Sequence, residues 1–387
     1  MNLAERVGSR QNNFNALRLI AAVMVLVSHC FALTNRPEPL ASISNESFGE
    51  LGVSIFFAIS GFLIARSWTD DPVLWRFAAK RGLRLMPGLI VAVLVTALVL
   101  GPAVTILSPS GYFGDTGVYR YIVENSVLDT VNGRLPGVFV HNVYPAAVNG
   151  SLWTLPVEAL AYVAAAVLGV MGALRGRAAL PVLSYVVLLA LSTPPLNVTS
   201  IQTSGPVGGH LGLVLYLGAL FNGGLLLYVL RDHVVLRWDI AALLLAAWIA
   251  TANTDWMHPV ALVALPYLVL VLVYRTPSWL SAVTRPGDLS YGIYVYAFPA
   301  QQLAAYLWGP GLAPGTMLAL VAVPLYLIAL LSWHLVEAPA LRLKPGTGLG
   351  VRRRSVLAVS GAPSSPPRPA LQGNAEPGSL RDDGLPR

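Results

Sequence analysis

Apolar positions along the chain gather into ten long runs, at roughly 17–33, 51–68, 85–107, 151–174, 178–192, 210–230, 239–252, 257–274, 289–308 and 314–336. A helix that crosses a bilayer needs about 20 mostly apolar residues. Each run is therefore a predicted span, the fifth and seventh being the shortest. The first run is not a cleavable leader, because Arg18 and His29 lie inside it and no small-residue cleavage site precedes Thr34. The pattern predicts an all-α fold, a polytopic membrane helix bundle of about ten transmembrane helices.

Composition agrees with this: of 387 residues 55% are hydrophobic and 11% charged, against about 25% charged in soluble domains. The net charge of +7 could signal a nucleic-acid-binding face, but the positions of the basic residues exclude that. With the N-terminus inside, all of the 25 Lys and Arg residues except Arg36, Arg120 and Arg134 fall on the cytoplasmic side. The charge reports orientation, with both termini cytoplasmic and a multi-pass protein of the cell (inner) membrane. The single cysteine, Cys30, excludes an internal disulfide and a cysteine-built metal centre. No other metal-ligand spacing is present, so no metal is expected.

Two segments lie outside the runs. Residues 108–150 hold Tyr112, Tyr119, Tyr121, His141 and Tyr144 and are placed outside by the topology; a long aromatic loop of this kind is more often functional than inert. Residues 345–387 are rich in Pro, Gly and Ser, carry Arg352, Arg353 and Arg354, and read as a disordered cytoplasmic tail drawn to anionic membrane lipid. That leaves 1–344 as the membrane domain. Sequons at Asn45, Asn149 and Asn197 carry little weight.

Ionisable side chains inside a span are costly and mark candidate sites. Arg18 and His29, eleven residues apart, fall about 20° from a common helix face and about 16 Å apart along the axis. Arg18 then sits near the cytoplasmic surface and His29 in the outer half, a polar stripe that suggests a passage. Alternatively, Arg18 snorkels and His29 bonds within the bundle. Glu158, in SLWTLPVEALAY (151–162), reaches the depth of His29 if both helices stand upright. A carboxylate there could orient the imidazole and stabilise its charged form, or could instead be satisfied by Ser151 and Thr154 beside Pro156. Arg81 and Arg84 form an R-x-x-R pair before the third run, suited to phosphate recognition or to plain positive-inside anchoring. Glu337 could neutralise that cluster and reads as structural. Ser60, in SGFLI, reads as part of a close helix contact. Cys30 points about 100° away from His29, which argues against a Cys–His pair.

Taken in order, these segments resemble the acyltransferase-3 family of integral membrane acyltransferases, which modify sugars of bacterial polysaccharides, lipopolysaccharide and Nod factors. The match runs from about Asn13 to Lys344 and includes Arg18-x10-His29, GVSIFFAISGFLI (52–64), KRGLRLMP (80–87), SLWTLPVEALAY, LSYGIYVYAFP (289–299) and SWHLVEAPALRL (332–343). The resemblance implies an acyl-CoA donor, acetyl-CoA foremost, entering from the cytoplasm, and a carbohydrate or lipid-linked glycan acceptor reached from the other side. It also implies an essential His29 and functional Arg81 and Arg84. Many members have Trp-His where this chain has Tyr296-Ala297, and a basic residue where it has Ala338. The combined expectation is that Arg18, Arg81 and Arg84 hold donor phosphates while His29, oriented by Glu158, acts as general base, or carries the acyl group itself. The competing class is a transporter or flippase using the same polar stripe.

Overall fold

The structure is a computed structural model that describes residues 1–346 except 10–11, 45, 130–131, 146, 176–177 and 197–210. The predicted tail therefore lies almost wholly outside the described residues, as do Asn45 and Asn197. Residues Met1–Pro345 form one compact helical unit. No β-structure beyond isolated bridges occurs among the described residues.

A helix occupies each of the ten predicted runs. In chain order the main helices are α1 (Phe14–Leu33), α2 (Phe48–Asp70), α3 (Leu74–Val104), α4 (Thr116–Val127), α5 (Thr154–Val170), α6 (Ala179–Ser192), α7 (Leu211–Val229), α8 (Trp238–Ala250), α9 (Met257–Arg275), α10 (Ser290–Trp308) and α11 (Pro314–Arg342). Six of these, α1, α2, α3, α7, α9 and α11, are long and apolar enough to cross a membrane, and α5, α6 and α8 are shorter apolar helices. A multi-pass membrane protein follows, since lipid leaves the backbone no partner but itself and the helix satisfies it internally. Both α3 and α11 contain a five-residue π-turn, at Thr96–Leu100 and Trp333–Glu337.

Glycines set the closest packing. A Cβ on Gly61 of α2 would overlap the Phe221 carbonyl oxygen of α7, and one on Gly224 of α7 would overlap that of Ala58 on α2. The two backbones thus meet where SGFLI was expected to pack closely. Helix α10 runs through the middle and is buried along most of its length, Gln301 and Gln302 included. The Ser47 hydroxyl accepts from Glu50 N while the Glu50 carboxylate accepts from Ser47 N, a reciprocal cap that starts α2.

The segment 108–150, expected as a long loop, is partly helical and packed against α3. After Pro109–Gly114, α4 turns back along α3, burying Tyr112 and Tyr121 completely, with Tyr112 Oη donating to Ala97 O at 2.7 Å. Leu128, at the end of α4, lines a groove with Leu85 of α3 and Tyr162 of α5. Beyond it, Asn149 Nδ2 donates to Val295 O of α10 at 2.9 Å, and Asn149 is buried. The segment folds into the side of the bundle because its own apolar face, including Val118 and Tyr121, has α3 to cover it.

Candidate active site

At one end of the bundle the charged side chains converge. Asp288, just before α10, accepts from Arg18 Nη1 at 2.9 Å and Arg84 Nη2 at 2.7 Å, both through Oδ2. Its other oxygen, Oδ1, accepts from the Ser290 hydroxyl at 2.5 Å. Burial alone would raise the Asp288 carboxyl, yet Arg84 and Arg18 hold it well below the ordinary carboxylate range. The π-turn in α11 presents Glu337, whose Oε2 lies 3.7 Å from Arg84 Nη1 and whose Oε1 accepts from Ser332 at 3.1 Å. Arg18 and Arg84 are thereby held by carboxylates. Arg81 forms no ion pair among the described residues: its Nη2 donates to Ser67 Oγ at 3.4 Å, its Nε is buried without a partner, and its guanidinium lies 5.9 Å from the rings of both Phe77 and Tyr162. Lys344, just past α11, is felt by the same group. Burial, and then the repulsion of Arg81, Arg84, Lys80 and Arg18, bring its amine down to about 8.

Inward from this cluster, Arg18, Ser60, Glu158 and Tyr291 line a small cavity that ends at Val53 and Tyr294. On the far side of Val53 and Tyr294 a second cavity, of about 220 Å³, is lined by Ser28, His29, Glu50, Ser151 and Trp153 among others. His29 packs edge-on against Phe298, with ring centroids 5.0 Å apart, and its Nδ1 is buried without a hydrogen-bond partner. Cys30 faces elsewhere, accepting from Gln301 Nε2 at 3.0 Å. Among the described residues no cluster of three His, Cys, Asp or Glu is placed to hold a metal.

Arg18 and His29 each line a cavity, and where a passage between them was expected Val53 and Tyr294 stand between the two. The expected partnership of Glu158 with His29 is not formed. The Glu158 carboxylate accepts from the Tyr162 hydroxyl and, at 3.5 Å, from Ser60 Oγ, and it lines the cavity of Arg18 rather than that of His29. The reason is the start of α5. The upright estimate assumed that this helix begins at the membrane surface, but the chain preceding it is already inside the bundle. Thr154 Oγ1 and Tyr294 Oη are 2.6 Å apart, and Tyr294 lies only about 9 Å along α10 from Asp288. One helical turn further on, Glu158 is at the level of the arginines.

Three residues of the site were missed in the sequence reading. Asp288 directly precedes the LSYGIYVYAFP segment, and a single acid before a helix that follows two arginine-bearing spans was the available signal. Tyr294 lies within that segment as one aromatic among several. Lys344 was counted only as one more charge after the last run.

With this geometry in view, comparisons with known proteins place the chain. An acyltransferase domain matches residues 11–334. The chain is 31% identical over 340 residues to a protein of Shigella phage Sf6 named O-acetyl transferase, covering 85% of this chain and 95% of that one. It is 30% identical over 378 residues to nodulation protein 10 of Rhizobium leguminosarum bv. viciae, covering 91% and 98%. No solved structure matches it.

Proposed function

Since the chain belongs to the acyltransferase-3 family of membrane acyltransferases, we propose that it moves an acetyl group from cytoplasmic acetyl-CoA to a hydroxyl of a surface polysaccharide or lipid-linked sugar. The observation that carries the reading is the Arg18–His29 stripe, with arginines at one end, the imidazole at the other, and a cavity beside each. In this reading the bundle has ten spans and lies in the cell membrane with both termini cytoplasmic.

The donor phosphates sit against Arg81 first. Among the described residues Arg81 has no carboxylate to release, and its fork of N–H groups suits a phosphate. Arg18 and Arg84, fixed by Asp288 and Glu337, wall the site with their charge largely balanced, and Lys344 adds a charge at the rim. A linear pantetheine arm then runs along the stripe, about 16 Å from Arg18 to His29, and brings the thioester to the Val53–Tyr294 boundary. His29 takes the proton of the acceptor hydroxyl as its oxygen attacks the thioester carbonyl. The carbon–sulfur bond breaks and His29 returns that proton to the leaving thiolate, so the base is restored each cycle. Glu158 acts at the donor end, holding Tyr162 and, through it, the ring beneath Arg81.

The test is an assay of membranes with radiolabelled acetyl-CoA and native glycan, comparing the unaltered protein with His29→Ala. Label entering glycan only with the unaltered protein supports the reading. Transport of glycan without label would support a flippase instead.

A further inference from the structure

The two cavities are separated by Val53 and Tyr294, the two residues that line both. Neither is loosely held. Val53 is buried in α2. The Tyr294 hydroxyl bonds Thr154 Oγ1 at 2.6 Å and donates to Ser151 O at 3.0 Å, and its ring packs edge-on against Phe56 at 5.8 Å. Phe56 in turn lies beneath the Arg18 guanidinium, 5.9 Å from it. The partition is therefore braced from α1, α2 and α5 at once, and a core of this kind resists yielding to extra volume.

The cavities differ in size. The donor-side cavity measures about 40 Å³ and the acceptor-side cavity about 220 Å³. A single water occupies about 10–15 Å³ on this scale, so the donor side is a narrow passage that the pantetheine arm itself must fill, with no side room for a long acyl chain. To meet a hydroxyl beside His29, the thioester carbonyl must stand at the partition. Any carbons beyond the second must then occupy space filled by the Val53 methyls or the Tyr294 ring.

Resting on the acyl-transfer reading above, we infer that Val53 and Tyr294 set the length of the acyl chain and restrict the donor to short acyl thioesters, acetyl above all. They act as specificity-determining residues, distinct from the arginines that hold the phosphates and from the imidazole that moves the proton.

The experiment uses membranes of source cells lacking the gene and carrying it back in unaltered or altered form, so that the native acceptor is present. Acetyl-CoA and butyryl-CoA are supplied together at equal concentration with different isotopes, and glycans are read by mass spectrometry. The ratio is internal to each sample, so a smaller folded fraction does not change it. The unaltered protein is expected to favour acetyl by about 100-fold. Val53→Ala and Tyr294→Leu should each raise the butyryl-to-acetyl ratio about tenfold or more, Val53→Ile should lower it, and Tyr294→Phe, which keeps the ring, should leave it within about twofold. Acetyl transfer by the unaltered protein with a ratio unmoved in both Val53→Ala and Tyr294→Leu would overturn the inference while leaving the acyl-transfer reading intact. Absence of acyl product of either length from the unaltered protein would overturn both.

Discussion

Arg84 Nη2 lies 2.7 Å from Asp288 Oδ2, in a pair whose side chains are 13% and 9% exposed. The same oxygen holds Arg18 at 2.9 Å, so one carboxylate ties the first helix, the third and the start of the tenth together. Removing one member of a buried pair leaves the other charge uncompensated, which costs about 3–5 kcal/mol. Asp288→Asn should therefore lower the thermal midpoint of the purified protein more than Glu158→Gln does. The pH dependence has a definite sign. Because the folded carboxyl is held below its unfolded value of about 3.9, its stabilisation is complete above that value and declines only as pH falls toward the lower folded one. The gap in midpoint between Asp288→Asn and the unaltered protein should accordingly narrow as pH falls below about 4.

Arg81 and Arg84 are equivalent in the R-x-x-R spacing and differ in what they touch. Arg84 is held by two carboxylates, whereas among the described residues Arg81 has a long contact to Ser67 and two aromatic rings. Arg81→Ala should raise the apparent KM for the acyl donor by about 10–100-fold, the range of a charge-assisted hydrogen bond of about 1.5–3 kcal/mol, with little change in thermal midpoint. Arg84→Ala should depress the midpoint as well. Donor-titrated kinetics beside thermal unfolding of the same preparations separates the two, and equal effects on both quantities would contradict this division.

Lys344 carries a pH prediction for donor binding. Its amine, brought down to about 8 by burial and the neighbouring arginines, is charged below that pH and neutral above it. A bound phosphate favours the charged form, so donor affinity should be full below about pH 7.5 and fall as pH rises through about 8. Lys344→Arg, which stays charged throughout, should flatten the profile between about pH 7 and 9. The measurement is the apparent donor KM across that range.

How far the site was legible in the sequence follows from what each inference rested on. Helical phase within one continuous run placed Arg18 and His29 on a common stripe correctly, because their relation is internal to α1 and needs no partner. The depth of Glu158 required knowing where α5 starts relative to other helices, and the inward fold of 108–150 made the assumed surface origin wrong. The helices at the ten runs were legible for the same reason as the stripe: apolarity is a property of each run alone. Asp288 was opaque because its meaning lies in Arg18 and Arg84, far away along the chain. The closeness of α2 and α7 was half legible, in that SGFLI advertised a small-residue contact, but its partner, Gly224, carried no signal of its own.

The correction at Glu158 leads to a kinetic expectation. With its carboxylate on Tyr162 and Ser60 and none of its hydrogen bonds reaching His29, neutralising it should not alter the proton-transfer step itself. Glu158→Gln should leave the acidic limb of the pH–rate profile in place while raising the donor KM, since Tyr162 supports Arg81. His29→Ala should remove turnover altogether and leave donor binding measurable by equilibrium titration. A shift of the acidic limb in Glu158→Gln would restore the pairing that the geometry lacks.

The approach of α2 to α7 yields a stability prediction independent of chemistry. At Gly61 and at Gly224 an added methyl would overlap a backbone carbonyl of the opposite helix, and neither Phe221 O nor Ala58 O can swing aside as a side-chain tip could. Relief requires the helices to separate. Separation would also open the packing of Phe62 against Tyr228, whose ring centroids are 5.4 Å apart. Overpacking of this kind costs about 1–3 kcal/mol where neighbours can adjust, so Gly61→Ala should fall at or above the upper end. Gly82→Ala, at a helical glycine with open space around its Cβ position, should be neutral or stabilising by up to about 1 kcal/mol. Thermal midpoints in detergent for the two variants test this directly, and a Gly61→Ala protein as stable as Gly82→Ala would mean that α2 and α7 do not pack backbone to backbone.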